Sequence, residues 1–176
     1  MAENVEVIEA RENSHNREYF FNKVEKIPLL IEWADEEIRN DKEIILKAVE
    51  KDGGALEFAS NKLKDDKDVL LQAVKQAGWT CCYASDRLKD DRDVILEAVK
   101  NDGQVLYFAG EKLRDDEEIV LEAVKNKPII VKYASLRLRG KKEVGMAVVE
   151  KGKKSGLEFL TPELQKNEEI LKLLEN

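Results

Sequence analysis

One motif of 25 residues recurs along this chain and limits its fold more than any other feature. The segment from Asp41 to Val49 returns, with the same pattern of charged and apolar residues, at Asp66, Asp91 and Asp116. An alanine recurs at Ala48, Ala73, Ala98 and Ala123, and an aromatic residue followed by alanine recurs at Phe58, Tyr83, Phe108 and Tyr133. Periods of this length are typical of tandem repeats, in which each repeat buries its apolar face against its neighbours.

The register of the motif predicts the domain organisation. Repeats are expected near residues 16–40, 41–65, 66–90, 91–115, 116–140 and 141–166, with degenerate first and last copies and a capping helix over 167–176. Residues 1–15 lack the register and are rich in Glu, Asn and Arg, which predicts a flexible N-terminal arm. The predicted fold class is all-α, a single α-solenoid over residues 16–176 in which each repeat is a helix, a turn and a short helix.

The first half of each repeat predicts an amphipathic helix, called helix A. Counting places from the opening aspartate, apolar residues stand at places four, five, six, eight and nine, as in Val94, Ile95, Leu96, Ala98 and Val99. This spacing forms a broad helical stripe. The opening aspartate is suited to cap the helix. Glycine at place thirteen (Gly53, Gly78, Gly103) is expected to end the helix in a left-handed conformation, and Pro128 replaces it in the next repeat.

The second half of each repeat predicts a shorter helix, called helix B. Residues such as Ala55, Leu56, Phe58 and Ala59 have helical spacing over less than two turns, which is compatible with partly 3₁₀ geometry. Leu63 then returns the chain to the core. Helices this short are marginal alone, so stacking of repeats must stabilise them.

Composition narrows the functional classes. The net charge of −7 and a pI near 5.0 disfavour nonspecific binding to nucleic acid or anionic lipid. The sequence has no apolar run of membrane-spanning length, and the first residues are acidic rather than leader-like. The two cysteines, Cys81 and Cys82, are adjacent and suit a reducing compartment. An intracellular, cytoplasmic protein that does not bind membranes is therefore expected.

Candidate catalytic and ligand-binding groups are few. His15 is the single histidine and stands in the expected arm, as a solvated residue rather than a catalytic base. Gly152-Lys153-Lys154-Ser155 lacks the glycine spacing of a phosphate loop, and the aspartate pairs at 65–66, 90–91 and 115–116 lack the glycine and glutamate of a calcium loop. Cys81 is expected in the core. The sequence thus predicts no enzyme, no cofactor and no metal site.

Two columns of basic residues are expected when the repeats stack. The first contains Lys62, Arg87, Lys112 and Arg137, and the second contains Lys64, Lys89, Arg114 and Arg139. These residues could contact nucleic-acid phosphates, or acids at the start of the next repeat could neutralise them. The negative net charge favours neutralisation.

Two places on helix B vary between repeats while their neighbours are constant. Place fourteen holds Gly54, Trp79, Gln104 and Ile129, and place seventeen holds Glu57, Cys82, Tyr107 and Lys132. Packing within the stack does not dictate such places, so they are candidates for binding. The candidate partner-binding residues are Trp79, Cys82, Tyr107, Ile129 and Lys132. Alternatively, their side chains simply cover the seam between repeats.

The motif consists of an acidic opening, then Leu-x-Ala-Val-Lys, a glycine, and Leu-x-Tyr/Phe-Ala-Ser. It resembles a repeat family catalogued as domain of unknown function four-one-one-six. Residues 41–140 resemble it closely, and the flanking repeats loosely. The resemblance implies the repeat fold and no activity or cofactor. In layout the repeats are also similar to helical leucine-rich repeat variants.

Three functional classes follow from these features. The first is a non-enzymatic scaffold that binds an unknown protein or peptide along the exposed surface of helix B. The second is a self-associating structural protein, a homo-oligomer. The third is nucleic-acid binding through the basic columns.

Overall fold

The structure is a computed structural model of the chain, and it describes residues 5–175. These residues form α-helices and 3₁₀ helices and contain no strand. The all-α repeat class is therefore confirmed. The chain divides into two compact units, Met1–Leu88 (unit 1) and Lys89–Asn176 (unit 2), which are described separately. The boundary falls inside the predicted repeat 66–90.

Each complete repeat contains three helical elements. The long helix A spans Lys42–Lys51, Lys67–Gln76, Arg92–Asn101, Glu117–Asn126 and Lys142–Gly152. A 3₁₀ helix follows at Gly53–Phe58, Gly78–Tyr83, Gly103–Tyr107, Pro128–Tyr133 and Leu157–Phe159, and the first repeat has Pro28–Trp33. A short third helix, which the sequence did not separate from helix B, spans Glu36–Arg39, Asn61–Lys64, Asp86–Lys89, Leu136–Arg139 and Pro162–Gln165, with a 3₁₀ turn at Leu113–Asp115 in its place.

Helix A begins as the sequence predicted. The Asp41 carboxylate accepts hydrogen bonds from the backbone N–H groups of Glu43 and Ile44, at 3.0 and 3.2 Å. Asp66, Asp91 and Asp116 cap their helices through the same side-chain oxygen. These bonds satisfy backbone donors that have no partner inside the helix.

The buried stripe of helix A is narrower than predicted. Places four, five, eight and nine are fully buried, as at Ile44, Ile45, Ala48 and Val49. The leucine at place six is only half-buried in every copy, which corrects the expectation of a core position: Leu46, Leu71, Leu96 and Leu121. At 100° per residue, place six lies roughly 130° from the centre of the buried stripe, so its side chain falls at the edge.

The glycines at place thirteen have a different role from the one predicted. Within residues 5–175, positive φ angles occur at Lys153 and Gly156, so Gly53, Gly78 and Gly103 are not left-handed. Helix A ends instead at an extended residue, such as Asp102 with φ −139° and ψ 106°. A Cβ atom on Gly103 would lie 2.4 Å from the carbonyl oxygen of Ala123 in the next helix A. The glycine therefore permits close packing between repeats.

The described part of the predicted N-terminal arm contains a helix. Val5–Glu12 forms a helix, Ala10 is fully buried, and the Arg11 guanidinium lies 4.1 Å from the ring centre of Trp33. The Asp35 N–H donates to the Ser14 carbonyl at 2.8 Å, as the Ser60 N–H donates to Arg39 at 2.9 Å. Residues 5–15 thus occupy the position of the end of a preceding repeat. The expected arm at residues 1–4 lies outside the described residues.

Residues 168–172 form the helix expected at the C-terminal end. Asn167 caps this helix, and Ile170 is fully buried. Gly145 stands at place five of the last repeat, and a Cβ there would lie 2.8 Å from Ile170 Cδ1. The small residue in the degenerate repeat therefore makes room for the terminal helix.

Candidate functional site

The 3₁₀ helices present places fourteen and seventeen on one side. Three residues complete a turn of a 3₁₀ helix, so these two side chains are aligned, while places fifteen and sixteen, such as Ala55 and Leu56, are fully buried. In each unit the 3₁₀ helices of successive repeats contact one another. We call the aligned side chains the 3₁₀ face: Leu29, Glu32, Gly54, Glu57, Trp79 and Cys82 in unit 1, and Gln104, Tyr107, Ile129 and Lys132 in unit 2.

Large apolar side chains are unusually exposed on this face. Leu29, Trp79 and Tyr107 have 45, 46 and 57% of their surface exposed. They are three of the seven large apolar residues exposed among residues 5–175, two of them in unit 1 and one in unit 2. Sequence comparison missed Leu29, although it stands at place fourteen of the first repeat, as Trp79 does in the third.

In unit 1, Trp79 and its neighbours Gly54, Tyr83 and Glu57 form a cluster of contacts. The edge of its indole lies over Gly54, and a Cβ atom added to Gly54 would lie 3.6 Å from the Trp79 Cη2 atom. The rings of Trp79 and Tyr83 meet edge-to-face at 5.8 Å between centroids. The Tyr83 hydroxyl donates a 2.8 Å hydrogen bond to Glu57 Oε2. Cys82 is half-buried, and Cys81 is buried as predicted.

The surroundings of the Tyr83 phenol raise its pKa to about 12. Burial of the phenol is the main cause, because it disfavours the phenolate. The hydrogen bond to Glu57 and the negative charge of that carboxylate add to it. Tyr83 therefore acts as a neutral hydrogen-bond donor rather than as a base.

In unit 2, the face opens into a groove of about 210 Å³ that brings Tyr107, Ile129 and Lys132 together. The rings of Tyr107 and Tyr133 meet edge-to-face at 4.9 Å, and those of Tyr107 and Phe108 at 5.1 Å. We call this cavity the tyrosine groove. Its lining residues are Gln104, Tyr107, Phe108, Lys127, Ile129, Ile130, Lys132 and Tyr133. Trp79 and Cys82 belong to unit 1.

The tyrosine groove has a basic rim. The Lys132 ammonium lies 4.9 Å from the ring centre of Tyr133, within the range of a cation–π contact. Lys127 stands at the start of the 3₁₀ helix Pro128–Tyr133. None of the residues that line the groove is acidic. The nearby Asp102 accepts the backbone N–H of Gln104 at 2.9 Å, which occupies one of its oxygens.

Two residues of the first basic column pair with an acid, although not with the expected one. Arg87 pairs with Asp65 at 3.0 Å, and Arg137 pairs with Asp115 at 2.9 Å. Each acid ends the preceding repeat, whereas acids at the start of the next repeat were predicted. Those opening acids pair instead with the base at place two, as in Arg92 with Asp116 at 2.8 Å. The pairs of Arg87 and Arg137 favour neutralisation at these two residues of the first column.

The remaining sequence candidates are His15 and the lysine-containing turn at residues 152–155. His15 is exposed, and Lys153, with φ 51°, lies in the turn after the last helix A. No group of three or more His, Cys, Asp or Glu residues within 5–175 is arranged to hold a metal ion. None of the helices in that range combines the length and apolarity needed to cross a membrane.

The fold and the 3₁₀ face together define an all-α tandem-repeat protein with a constant core and a variable outer face. The family model described as "Domain of unknown function (DUF4116)" matches residues 16–64, 41–89 and 91–139. The chain belongs to this family, because these segments cover more than half of its 176 residues. Comparisons with curated proteins and with solved structures gave no match. The similarity in layout to helical leucine-rich repeats stays an analogy.

Proposed function

We propose that this protein is a non-enzymatic scaffold that binds a protein or peptide through its 3₁₀ face. The observation that carries the proposal is Tyr107, which is 57% exposed at a place where neighbouring repeats hold Glu57, Cys82 and Lys132. The buried places fifteen and sixteen vary in size but stay uncharged from repeat to repeat, whereas this place changes in both size and charge. Aromatic side chains exposed in this way are typical anchors of protein interfaces.

The energetics support an anchor role for Trp79 and Tyr107. Truncation of an anchor residue to alanine typically costs roughly 2 kcal/mol or more of binding free energy. Both rings are already held by edge-to-face contacts with neighbouring aromatics, at 5.8 Å for Trp79 and 4.9 Å for Tyr107. Little side-chain entropy is therefore lost on binding.

Affinity capture from a native extract tests the proposal. The baits are the parent chain, the Trp79→Ala, Tyr107→Ala double variant, and Leu136→Ala as the control. Leu136 is 68% exposed but lies outside the 3₁₀ face. We expect a partner that binds the parent and the control and loses affinity for the double variant. A partner retained equally by all three baits contradicts the proposal.

Sedimentation of the same three proteins separates self-association from partner binding. A dimer that forms with rising concentration and is lost in the double variant would make the 3₁₀ face an interface between copies of this chain. A monomer at all concentrations, together with variant-sensitive capture, supports the scaffold. Circular dichroism and melting of each variant confirm that only the surface has changed.

A further inference from the structure

The size of the tyrosine groove limits what it can hold. At about 210 Å³ it is smaller than the roughly 300–1,000 Å³ of small-molecule pockets. Its walls are the rings of Tyr107, Phe108 and Tyr133 together with Ile129. The ring of Tyr107 contacts those of Phe108 and Tyr133 edge-to-face, with centroids 5.1 and 4.9 Å apart. The space and the apolar walls suit one large apolar side chain of a partner.

The rim of the groove selects for negative charge beside that side chain. Lys127 and Lys132 both line the groove. Within residues 5–175, neither lysine makes an ion pair. Lys132 instead stands over Tyr133, at 4.9 Å, and 6.0 Å from the ring centre of Phe159. Two ammonium groups without carboxylate partners attract a carboxylate of a ligand.

Comparison with unit 1 shows that packing does not require this basic rim. The matching places of unit 1 hold Ala77 instead of Lys127 and Cys82 instead of Lys132. The place of Tyr107 is taken by Glu57, whose carboxylate Tyr83 binds at 2.8 Å. The same 3₁₀ backbone therefore carries an acidic, self-satisfied cluster in unit 1 and a basic, open groove in unit 2.

We infer that the tyrosine groove binds an acidic peptide segment of a partner, with one large apolar side chain in the groove against the rings and flanking carboxylates on Lys127 and Lys132. This inference rests on the proposed function and names the chemistry of the partner. The basic rim of the groove has the opposite sign to the net charge of the whole chain, which is −7. The net charge repels acidic segments at long range, so the local lysines supply selectivity rather than general attraction.

Binding to short synthetic peptides tests the inference. Three fluorescein-labelled pools carry a central Leu, Phe or Trp flanked by Asp and Glu, by Lys and Arg, or by Ser and Gly. We expect the acidic pool to bind at least about tenfold more tightly than the other two. Lys127→Ala and Lys132→Gln together should remove that preference, while Lys100→Ala should not. Lys100 is an exposed lysine of unit 2 that pairs with Glu97 at 3.8 Å.

Each outcome decides the inference. Preference for the acidic pool that depends on both Tyr107 and the two lysines supports it. Tyr107-dependent binding of the uncharged or basic pool overturns the inference and leaves the scaffold proposal standing. Absence of Tyr107-dependent binding to any pool also overturns it, and the capture experiment then decides the scaffold proposal separately. A single-stranded oligonucleotide that binds as tightly as the acidic pool, and whose binding depends on the two lysines, would assign the lysines to nucleic acid. That result would overturn the inference as well.

Discussion

The Tyr83 hydroxyl donates a 2.8 Å hydrogen bond to Glu57, a residue of the preceding repeat. At the matching places of unit 2, Tyr133 meets the ring of Tyr107 at 4.9 Å. Place eighteen of one repeat thus faces place seventeen of the repeat before it. The residue at place seventeen decides whether this junction is a closed polar contact or an open aromatic groove.

The titration of Tyr83 tests the polar junction. We expect Glu57→Gln to lower the pKa of Tyr83 from about 12 toward 10, with burial of the phenol, the main cause, still raising it. The raised pKa stabilises the folded state fully below pH 10, and this stabilisation is lost as the pH rises toward 12. Ultraviolet titration of the parent and of Tyr83→Phe isolates this phenol among the four tyrosines. A Tyr83 pKa near 10 in the parent would contradict the hydrogen bond.

Close packing at Gly103 predicts that Gly103→Ala is destabilising. The added Cβ would lie 2.4 Å from the backbone oxygen of Ala123, which cannot move without shifting a helix. Overpacking of this kind costs about 1–3 kcal/mol in the free energy of unfolding. Urea unfolding measures the change.

Gly140→Ala is the matched control for that substitution. Gly140 is exposed, and the other repeats hold Asn40, Asp65, Asp90 and Asp115 at its place. A Cβ atom there would lie 3.1 Å from the Thr161 Cγ2 methyl group, a side-chain contact rather than the backbone contact at Gly103. Its substitution should change the unfolding free energy by less than about 0.5 kcal/mol. Equal effects of the two substitutions would show that close approach is not the reason for Gly103.

Gly110→Ser is expected to stabilise the protein. Ser135 occupies the same place in the next repeat and donates its hydroxyl to Asp115, while accepting the Leu138 N–H at 3.2 Å. At Gly110 the flexible side chain of Asp90 fills the vacant space. Once Asp90 rotates away, the new hydroxyl caps the following turn and reduces the freedom of the unfolded chain. The gain should be about 0.5–2 kcal/mol, seen as a higher Tm.

The reverse substitution provides the control for this gain. Ser135→Gly should lower the stability by a similar amount, because it removes the hydroxyl from an established contact. A lower Tm for Gly110→Ser would mean that Asp90 cannot leave the space next to Gly110.

Acid should weaken the junctions that contain Asp65 and Asp115. The Ser135 hydroxyl, followed by the Arg137 guanidinium, lowers the pKa of Asp115, and Ser85 and Arg87 lower that of Asp65. A lowered pKa stabilises the folded state above the ordinary value of 3.8, and this contribution is lost as the pH falls through the lowered value. Carboxyl NMR of Ser135→Ala should show the Asp115 pKa moving up toward 3.8.

Ser135→Thr distinguishes the hydroxyl from other effects of the substitution. Threonine retains the donor, and Thr161 already stands at the matching position of the last repeat. We expect the Asp115 pKa to remain lowered in this variant. An unchanged pKa in Ser135→Ala would show that Ser135 does not set it.

Local sequence features account for much of the fold. The opening aspartates predicted the start of four of the helices A, and the spacing of Ile44, Ile45, Ala48 and Val49 predicted their burial. Both depend on helix geometry over a few residues. Exposure of Trp79 and Tyr107 agrees with the polar residues that other repeats hold at the same places, Gln104 at place fourteen and Glu57 and Lys132 at place seventeen.

By itself, the sequence determined the period, the helical class, the aspartate caps and four of the five predicted buried places of helix A, since each is a property of residues that are close along the chain. The tertiary structure alone decided why Gly103 must lack a side chain, that Val5–Glu12 packs as a helix, and that Tyr107 and Tyr133 form a groove. These features join residues of different repeats at unlike places. Comparing the repeats place by place does not reveal them, because it is the packing of one repeat against the next that brings such residues into contact.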